Sequence, residues 1–225
     1  MFDTAVTLAM LQHGDSAYPA GGFAFSWGVE GLAADGLLNR ADDLDTLIAE
    51  HLRFRWASMD RILLCRAFAA GDLDAVAAID RLADTSTPSA QMRDGSHRAG
   101  RALLGVSVRL GGPLTSAYRP MVSADARLGH LPIIQALVYR DAGISLDAAQ
   151  LVSGWTLVTG LVSAAVRLGL VGHIEAQQAL GAARSVLEAM LVETPDADVE
   201  PSSFTPLIDI AVSRGPARHV RLFST

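Results

Sequence analysis

The chain reads as an all-α protein, a single-domain bundle of roughly eight to ten helices. Three features lead to this reading. Apolar residues recur at helical spacing in successive segments; glycine, proline and capping residues punctuate those segments; and the sequence contains neither alternating strand runs joined by hairpin turns nor an internal repeat. With 225 residues, half of them apolar, the chain can bury a substantial core.

The spacing predicts a short apolar helix from Thr4 to His13. The run Pro19-Ala20-Gly21-Gly22-Phe23-Ala24-Phe25-Ser26-Trp27-Gly28-Val29-Glu30 follows as a shaped turn. Its proline fixes φ, and its glycines admit positive φ and close backbone approach, so Phe23, Phe25 and Trp27 can turn into a core or a partner groove. Ser26 is placed to cap a second helix that carries Glu30, runs to Ala34 and stops at Asp35-Gly36. Asn39 or Asp42 can cap a long third helix. Its apolar positions are Leu44, Leu47, Ile48, Leu52, Phe54 or Arg55, Met59, Ile62 and Leu63, and it ends at Gly71.

Asp72 opens a helix to Ala83, and Thr87-Pro88 places proline at the first position of a long helix to Leu110, broken by Gly111-Gly112-Pro113. Residues Pro120 to Gly129 read as irregular or briefly helical. His130-Leu131-Pro132 introduces a helix to Arg140 that Gly143 terminates. Ser145 and Asp147 start the next, whose uncharged stretch Leu151 to Val166 is short for a span of about 20 strongly apolar residues and is expected to be a buried central helix. An amphipathic helix runs from Gly172 to about Glu193. The Pro-, Asp- and Ser-rich residues 194–203 read as a linker. A C-terminal segment, 204–225, follows with a short apolar helix (Phe204 to Ala211) and a tail bearing Arg214, Arg218 and Arg221.

Composition excludes several function classes. A formal charge of −6 without a dense basic stripe argues against nucleic acid. The one cysteine, Cys65, permits no intramolecular disulfide and no CxxC motif, which fits a reducing, cytoplasmic setting. The N-terminus has no basic region leading into an apolar stretch, so no secretory signal and no membrane association are expected. All 18 basic residues are arginine, which removes the Walker A lysine and any Schiff-base lysine, and leaves arginine for bidentate recognition of carboxylate or phosphate.

No catalytic constellation emerges from the residues. Asp42-Asp43-Leu44-Asp45 lacks the turn-by-turn spacing of a magnesium-diphosphate site and sits where acidic groups complement a helix N-terminus. Histidines 13, 51, 97, 130, 173 and 219 show no HExxH or i, i+4 pair, so no local metal motif exists, although distant residues can still converge; His130 reads as a capping or packing residue. No GxSxG elbow occurs, and Cys65 lies among apolar neighbours as an inert thiol. Arg98 and Arg101 share a helix face at i, i+3 around Gly100, either in surface ion pairs or as recognition groups for a carboxylate or phosphate. The residues alone leave open a helical small-molecule carrier or enzyme with an apolar cavity walled by Leu151 to Leu170.

The Pro19–Glu30 run resembles the opening signature of the UreF family of urease accessory proteins, P-x-G-G-[FY]-x-[YF]-S-x-G-x-E. Further blocks occur in the family's order. Arg98 to Leu104 resembles R-x-x-G-R-x-L-L with the spacing offset by one residue; Gly129-His130-Leu131-Pro132 resembles G-H-x-P; and Ala164 to Gly169 resembles A-x-V-R-L-G. Pro206 to Ala211 and Arg221-Leu222-Phe223-Ser224 match the family's tail. Where family members commonly carry an R-H-E-like stretch, this chain has Arg214-Gly215-Pro216-Ala217-Arg218-His219, whose proline interrupts a helix. The resemblance implies an all-α, non-enzymatic maturation factor without catalytic residues, resident metal or cofactor. Such a factor forms a homodimer, binds UreD (UreH in some organisms) and the GTPase UreG, and supports GTP-dependent nickel insertion into apo-urease. Its partner-binding or signature residues here would be Pro19, Gly21, Gly22, Phe23, Phe25, Ser26, Gly28, Glu30, Arg98, Arg101, Arg214 and Arg221.

Overall fold

A computed structural model describes residues 3–19, 26–196 and 198–214. Its described residues form eleven α-helices and no strand: α1 (Thr4–Gly14), α2 (Val29–Ala34), α3 (Ala41–His51), α4 (Arg61–Ala69), α5 (Leu73–Ser86), α6 (Ala90–Arg109), α7 (Pro113–Ala124), α8 (Leu131–Asp141), α9 (Leu146–Arg167), α10 (His173–Leu191) and α11 (Pro206–Ser213). Because α3 and α4 are joined by a π-helical segment, Leu52–Asp60, into one continuous rod, the described bundle has ten separate helices, as expected.

Caps explain most of the boundaries. Asp3 Oδ1 accepts from the Ala5 and Val6 amides at the start of α1, Asp72 Oδ1 from Ala75 at α5, and Ser145 Oγ from Ala148 at α9. Gly36 and Gly143 close α2 and α8 with positive φ. Some expectations need correction. Neither Asn39 nor Asp42 caps α3; the Asp43 carboxylate reaches back one turn to accept from the Asn39 and Arg40 amides. Ser89, not the residue before Pro88, caps α6 through Met92 N–H. Pro120 lies inside α7, whose first turn is held by Asp141: its oxygens accept from the Leu114 and Thr115 amides and the Thr115 hydroxyl.

Two packed regions form the core. The first gathers Trp27, Val29 and Leu32 with Leu44, Ile48, Leu52 and Trp56, the distal half of α9, the inner face of α10, and Ile208 and Val212 of α11. The second packs α4, α5, α6, α7 and α8 around Leu63, Leu104, Tyr118, Ile134 and Leu137, with Val152 of α9. The α3–α4 rod and α9 run through both. Helix α9 is long and apolar enough to cross a membrane by length and composition, yet 56% of its apolar window is buried within the bundle, as expected of a central helix. Gly154 lets it approach closely: a Cβ there would stand 2.7 Å from Leu187 of α10 and 2.9 Å from the Trp56 ring.

Residues 194–203, apart from Ala197, are described, and they are laid along the π-helical segment. Ser202 N–H donates to Ser58 C=O and Phe204 N–H to Phe54 C=O, each at 2.9 Å. Buried Arg61 holds the approach to this stretch by donating to the Met190 and Glu193 carbonyls and to Gln150 Oε1. In the third helix it is Arg55 that faces the core while Phe54 is 49% exposed.

Candidate functional site

The described part of the signature turn is a strained corner packed on the C-terminal helix. Trp27 adopts φ 51° and Gly28 φ 94°, so two consecutive residues occupy the left-handed region, where a bulky residue is disfavoured. Gly28 also has no room for a side chain. A Cβ would lie 2.7 Å from Ile208 Cγ2 and 3.4 Å from Val212 Cγ2 of α11. The close approach of turn and tail helix therefore depends on glycine both for its φ and for its volume.

Ser26 does not cap α2. The helix begins at Val29 behind Gly28, and the buried Ser26 Oγ has no hydrogen-bond partner among the described residues; its carbonyl accepts from Val29 N–H instead. The left-handed corner places Gly28 rather than Ser26 at the N-cap, and the Ser26 hydroxyl bonds none of the α2 amides. The Trp27 carbonyl is held by His51 Nε2 at 2.9 Å. Burial, reinforced by the nearby Arg55 charge, pushes the His51 pKa down to about 4, so the neutral ring donates its Nε2 proton to that carbonyl. Arg55 itself is buried, with its guanidinium 6.0 Å from the Trp27 ring centroid and its Nε 3.4 Å from Asp60 Oδ2. Sequence reasoning missed His51 and Arg55 because each sits in an apolar helical pattern where nothing local marks a polar role.

At the end of α11, Arg214 Nη1 lies 3.3 Å from Asp35 Oδ2 just past α2, with the arginine side chain 62% exposed. The turn, α2 and α11 thus form one corner, and exposed Phe204, Leu207 and Ile210 continue it as an apolar surface. Glu30 is partly buried in α2, and Pro19 is exposed. Gly21, Gly22, Phe23, Phe25 and Arg221 lie outside the described residues.

The R-x-G-R and G-H-x-P blocks meet elsewhere, in the second core region. Gly100 of α6 lies against the backbone before α8. A Cβ would fall 2.2 Å from Gly129 O and 2.8 Å from the His130 carbonyl carbon and Leu131 N. Arg101 is exposed but braces the same loop, donating from Nη2 to the Ala126 carbonyl at 2.7 Å and the Leu128 carbonyl at 3.1 Å. Arg98 is exposed on α6. Behind the loop, fully buried Asp80 of α5 accepts from Gly129 N–H (2.6 Å), His130 N–H (3.0 Å) and Tyr118 Oη–H (2.8 Å). Burial raises its pKa to about 6 despite these bonds, each of which favours the carboxylate.

His130 stands at the N-cap of α8 but its side chain makes no capping bond. Its Nδ1 lies 3.2 Å from Ser96 Oγ, which also accepts from Leu131 N–H, and its Nε2 lies 3.4 Å from Asp84 Oδ1. His97 Nε2 lies 3.2 Å from the same oxygen, and the two imidazole centroids are 3.8 Å apart. Burial and the neighbouring His97 lower the His130 pKa.

A partly open cavity of about 110 Å³ runs between the two regions, lined by Tyr18, Trp27, Arg55, Asp60, Tyr139 and α9 residues including Thr156 and Ser163. It is smaller than the roughly 300 Å³ that ordinary ligand pockets reach.

The UreF family model matches residues 38–184, more than half of the chain. The urease accessory protein UreF of Trichodesmium erythraeum (strain IMS101) is 32% identical over 228 residues, covering 99% of this chain and 98% of that protein. The urease accessory proteins UreF of Yersinia enterocolitica serotype O:8 and Yersinia pestis (strain Pestoides F) are 28% and 27% identical over 223 and 222 residues, each alignment covering 96% of this chain and 97% of the relative. Together with the ordered signature blocks and the all-α bundle, these matches show that the chain belongs to the UreF family of urease accessory proteins.

Proposed function

We propose that this chain is a non-enzymatic cytoplasmic scaffold that acts as a homodimer with UreD (UreH) and the GTPase UreG to support GTP-dependent nickel insertion into apo-urease. The observation that carries the reading is the corner in which Gly28 seats α11 against the signature turn and continues into exposed Phe204, Leu207 and Ile210. An apolar surface backed by rigid packing and flanked by the exposed Arg214 suits a protein partner. Glu30, Arg98 and Arg214 are the recognition candidates, and Arg101 serves the loop it braces.

Co-purification with UreD and UreG, followed by urease activity in cells with and without the chain at fixed nickel supply, tests the role. A stable complex and a fall in activity on deletion are expected. Absence of a complex together with undiminished activity overturns the proposal. Alanine substitutions at Glu30, Arg98 and Arg214 that leave both complex and activation intact overturn the recognition assignment alone.

A further inference from the structure

We propose that Asp84, His97 and His130 bind a divalent first-row transition cation, with nickel and zinc the ions best suited to two imidazoles and a carboxylate. The three side chains come from α5, α6 and the entry to α8, and one ligating atom of each lies within 4.8 Å of the others. His97 Nε2 and His130 Nε2 stand 3.2 and 3.4 Å from Asp84 Oδ1. Ligands about 2.0–2.1 Å from a tetrahedral ion are separated by about 3.3 Å, so these separations need little adjustment to accept one.

The surroundings favour an exchangeable site over a permanent structural one. When an ion takes the Nε2 lone pair, the ring proton resides on Nδ1 and needs an acceptor. Ser96 Oγ, 3.2 Å from His130 Nδ1, supplies it for that ring. His97 Nδ1 is buried with no hydrogen-bond partner among the described residues, so the second ring lacks this support. His130 is 1% exposed, whereas the His97 and Asp84 side chains retain 12% and 22% exposure, leaving one open side for water or an incoming donor. The backbone is rigid at this point, because Gly100 packs on Gly129 and His130 while Asp80 ties down both amides.

The site rests on its own geometry, independently of the scaffold role, and its test uses the isolated full-length chain. Titration calorimetry with nickel chloride and, separately, zinc chloride is expected to show one ion per chain, and X-ray absorption of the nickel form to show two imidazole nitrogens. His97→Ala and Asp84→Asn are expected to lower affinity at least ~10-fold and Ser96→Ala about 10-fold, the scale of lost direct and outer support. His173→Ala, at an exposed position, and His219→Ala are expected to leave binding unchanged. No binding by the unaltered chain, fewer than two imidazoles in the absorption spectrum, or loss confined to His219→Ala overturns the proposal. The absorption result holds even if a substituted protein fails to fold. Complex formation with UreD is measured separately, so either proposal can fail without the other.

Discussion

The signature corner and the G-H-x-P loop are both places where a glycine lets two segments touch, but they are stabilised in opposite ways. At the corner, Gly28 brings a left-handed turn against Ile208 and Val212, and the polar groups are sparsely matched: Ser26 Oγ has no partner among the described residues and His51 offers one bond to Trp27. At the loop, Gly100 brings α6 onto a backbone whose Gly129 and His130 amides are held by Asp80 and whose Leu131 amide is held by Ser96, while Arg101 takes up the Ala126 and Leu128 carbonyls. Apolar contact and strain suit a surface that a partner completes; dense polar satisfaction suits a fixed frame.

That contrast predicts its largest effect at Asp80. Asp80→Ala leaves two backbone amides and the Tyr118 hydroxyl without their buried acceptor, at about 1–3 kcal/mol for each unsatisfied group. Urea unfolding is expected to show a loss of about 4 kcal/mol, with Asp80→Asn less affected because its amide oxygen still accepts. A loss under about 1 kcal/mol would mean that the loop holds itself and that Asp80 is not its anchor.

The next effect is pH-dependent and belongs to the corner. His51 binds a proton near pH 6.5 when unfolded but only near 4 when folded, so its contribution is present above 6.5 and lost as pH falls through 4. The shift corresponds to on the order of 3 kcal/mol. Asp80 acts with the opposite sign over part of that range: its raised pKa favours the folded state below 3.8, and this contribution is lost as pH rises through 6. Comparing the unaltered protein with His51→Gln cancels Asp80, since the amide keeps a donor for the Trp27 carbonyl without titrating. The stability difference between the unaltered protein and His51→Gln, taken at about pH 7, 5 and 4, should shift against the unaltered protein as pH falls, while His51→Gln alone keeps the Asp80 trend and loses stability as pH rises. A difference that is the same at all three pH values would remove His51 from the account.

Gly28→Ala isolates the contact with α11 when paired with Gly36→Ala. Both positions have positive φ, but a Cβ at Gly36 would meet nothing within 4 Å whereas one at Gly28 meets Ile208. Gly36→Ala is expected to cost about 1 kcal/mol from the left-handed conformation alone, and Gly28→Ala about 2 kcal/mol or more as overpacking adds to it. If the proposed complex with UreD forms through this corner, only Gly28→Ala is expected to reduce its recovery. Equal losses at both positions would mean that the tail helix accommodates the methyl and that the corner is less tightly seated than its packing indicates.

Helix existence was legible because capping chemistry is local: Asp72, Ser145, Gly36 and Gly143 act within a few residues of where they stand. Three features were not. The π-helical segment Leu52–Asp60 has no short-range spacing that marks it, and its contacts, Trp56 against Gly154 of α9 and the Phe54 and Ser58 carbonyls with the Phe204 and Ser202 amides, come from residues far along the chain. Pro120 to Gly129 read as irregular or briefly helical, yet Pro120 lies within α7, whose first turn is held by Asp141, distant in sequence. Asp84 and His130 are 46 residues apart and become neighbours only when α5, α6 and α8 assemble. Motif resemblance located the important blocks but not their division of labour. Arg98 and Arg101 look equivalent on one helix face, and the fold gives Arg101 two carbonyls to brace.

The smallest effect on stability carries the sharpest test of the corner as a partner surface. Arg214 and Asp35 form an ion pair with the arginine mostly in solvent, and such pairs contribute about 0–1 kcal/mol. Arg214→Ala is therefore expected to leave the unfolding midpoint nearly unchanged. If a partner desolvates the guanidinium, the same substitution lowers complex affinity by about 2–5 kcal/mol, because an acidic group across the interface loses its counter-charge. Asp35→Ala separates the two roles: it frees Arg214 without removing it, so binding is kept if the arginine contacts the partner and falls if Asp35 must hold it in place. Unchanged affinity in both variants would make the pair a surface feature and leave the apolar residues Phe204, Leu207 and Ile210 to account for recognition.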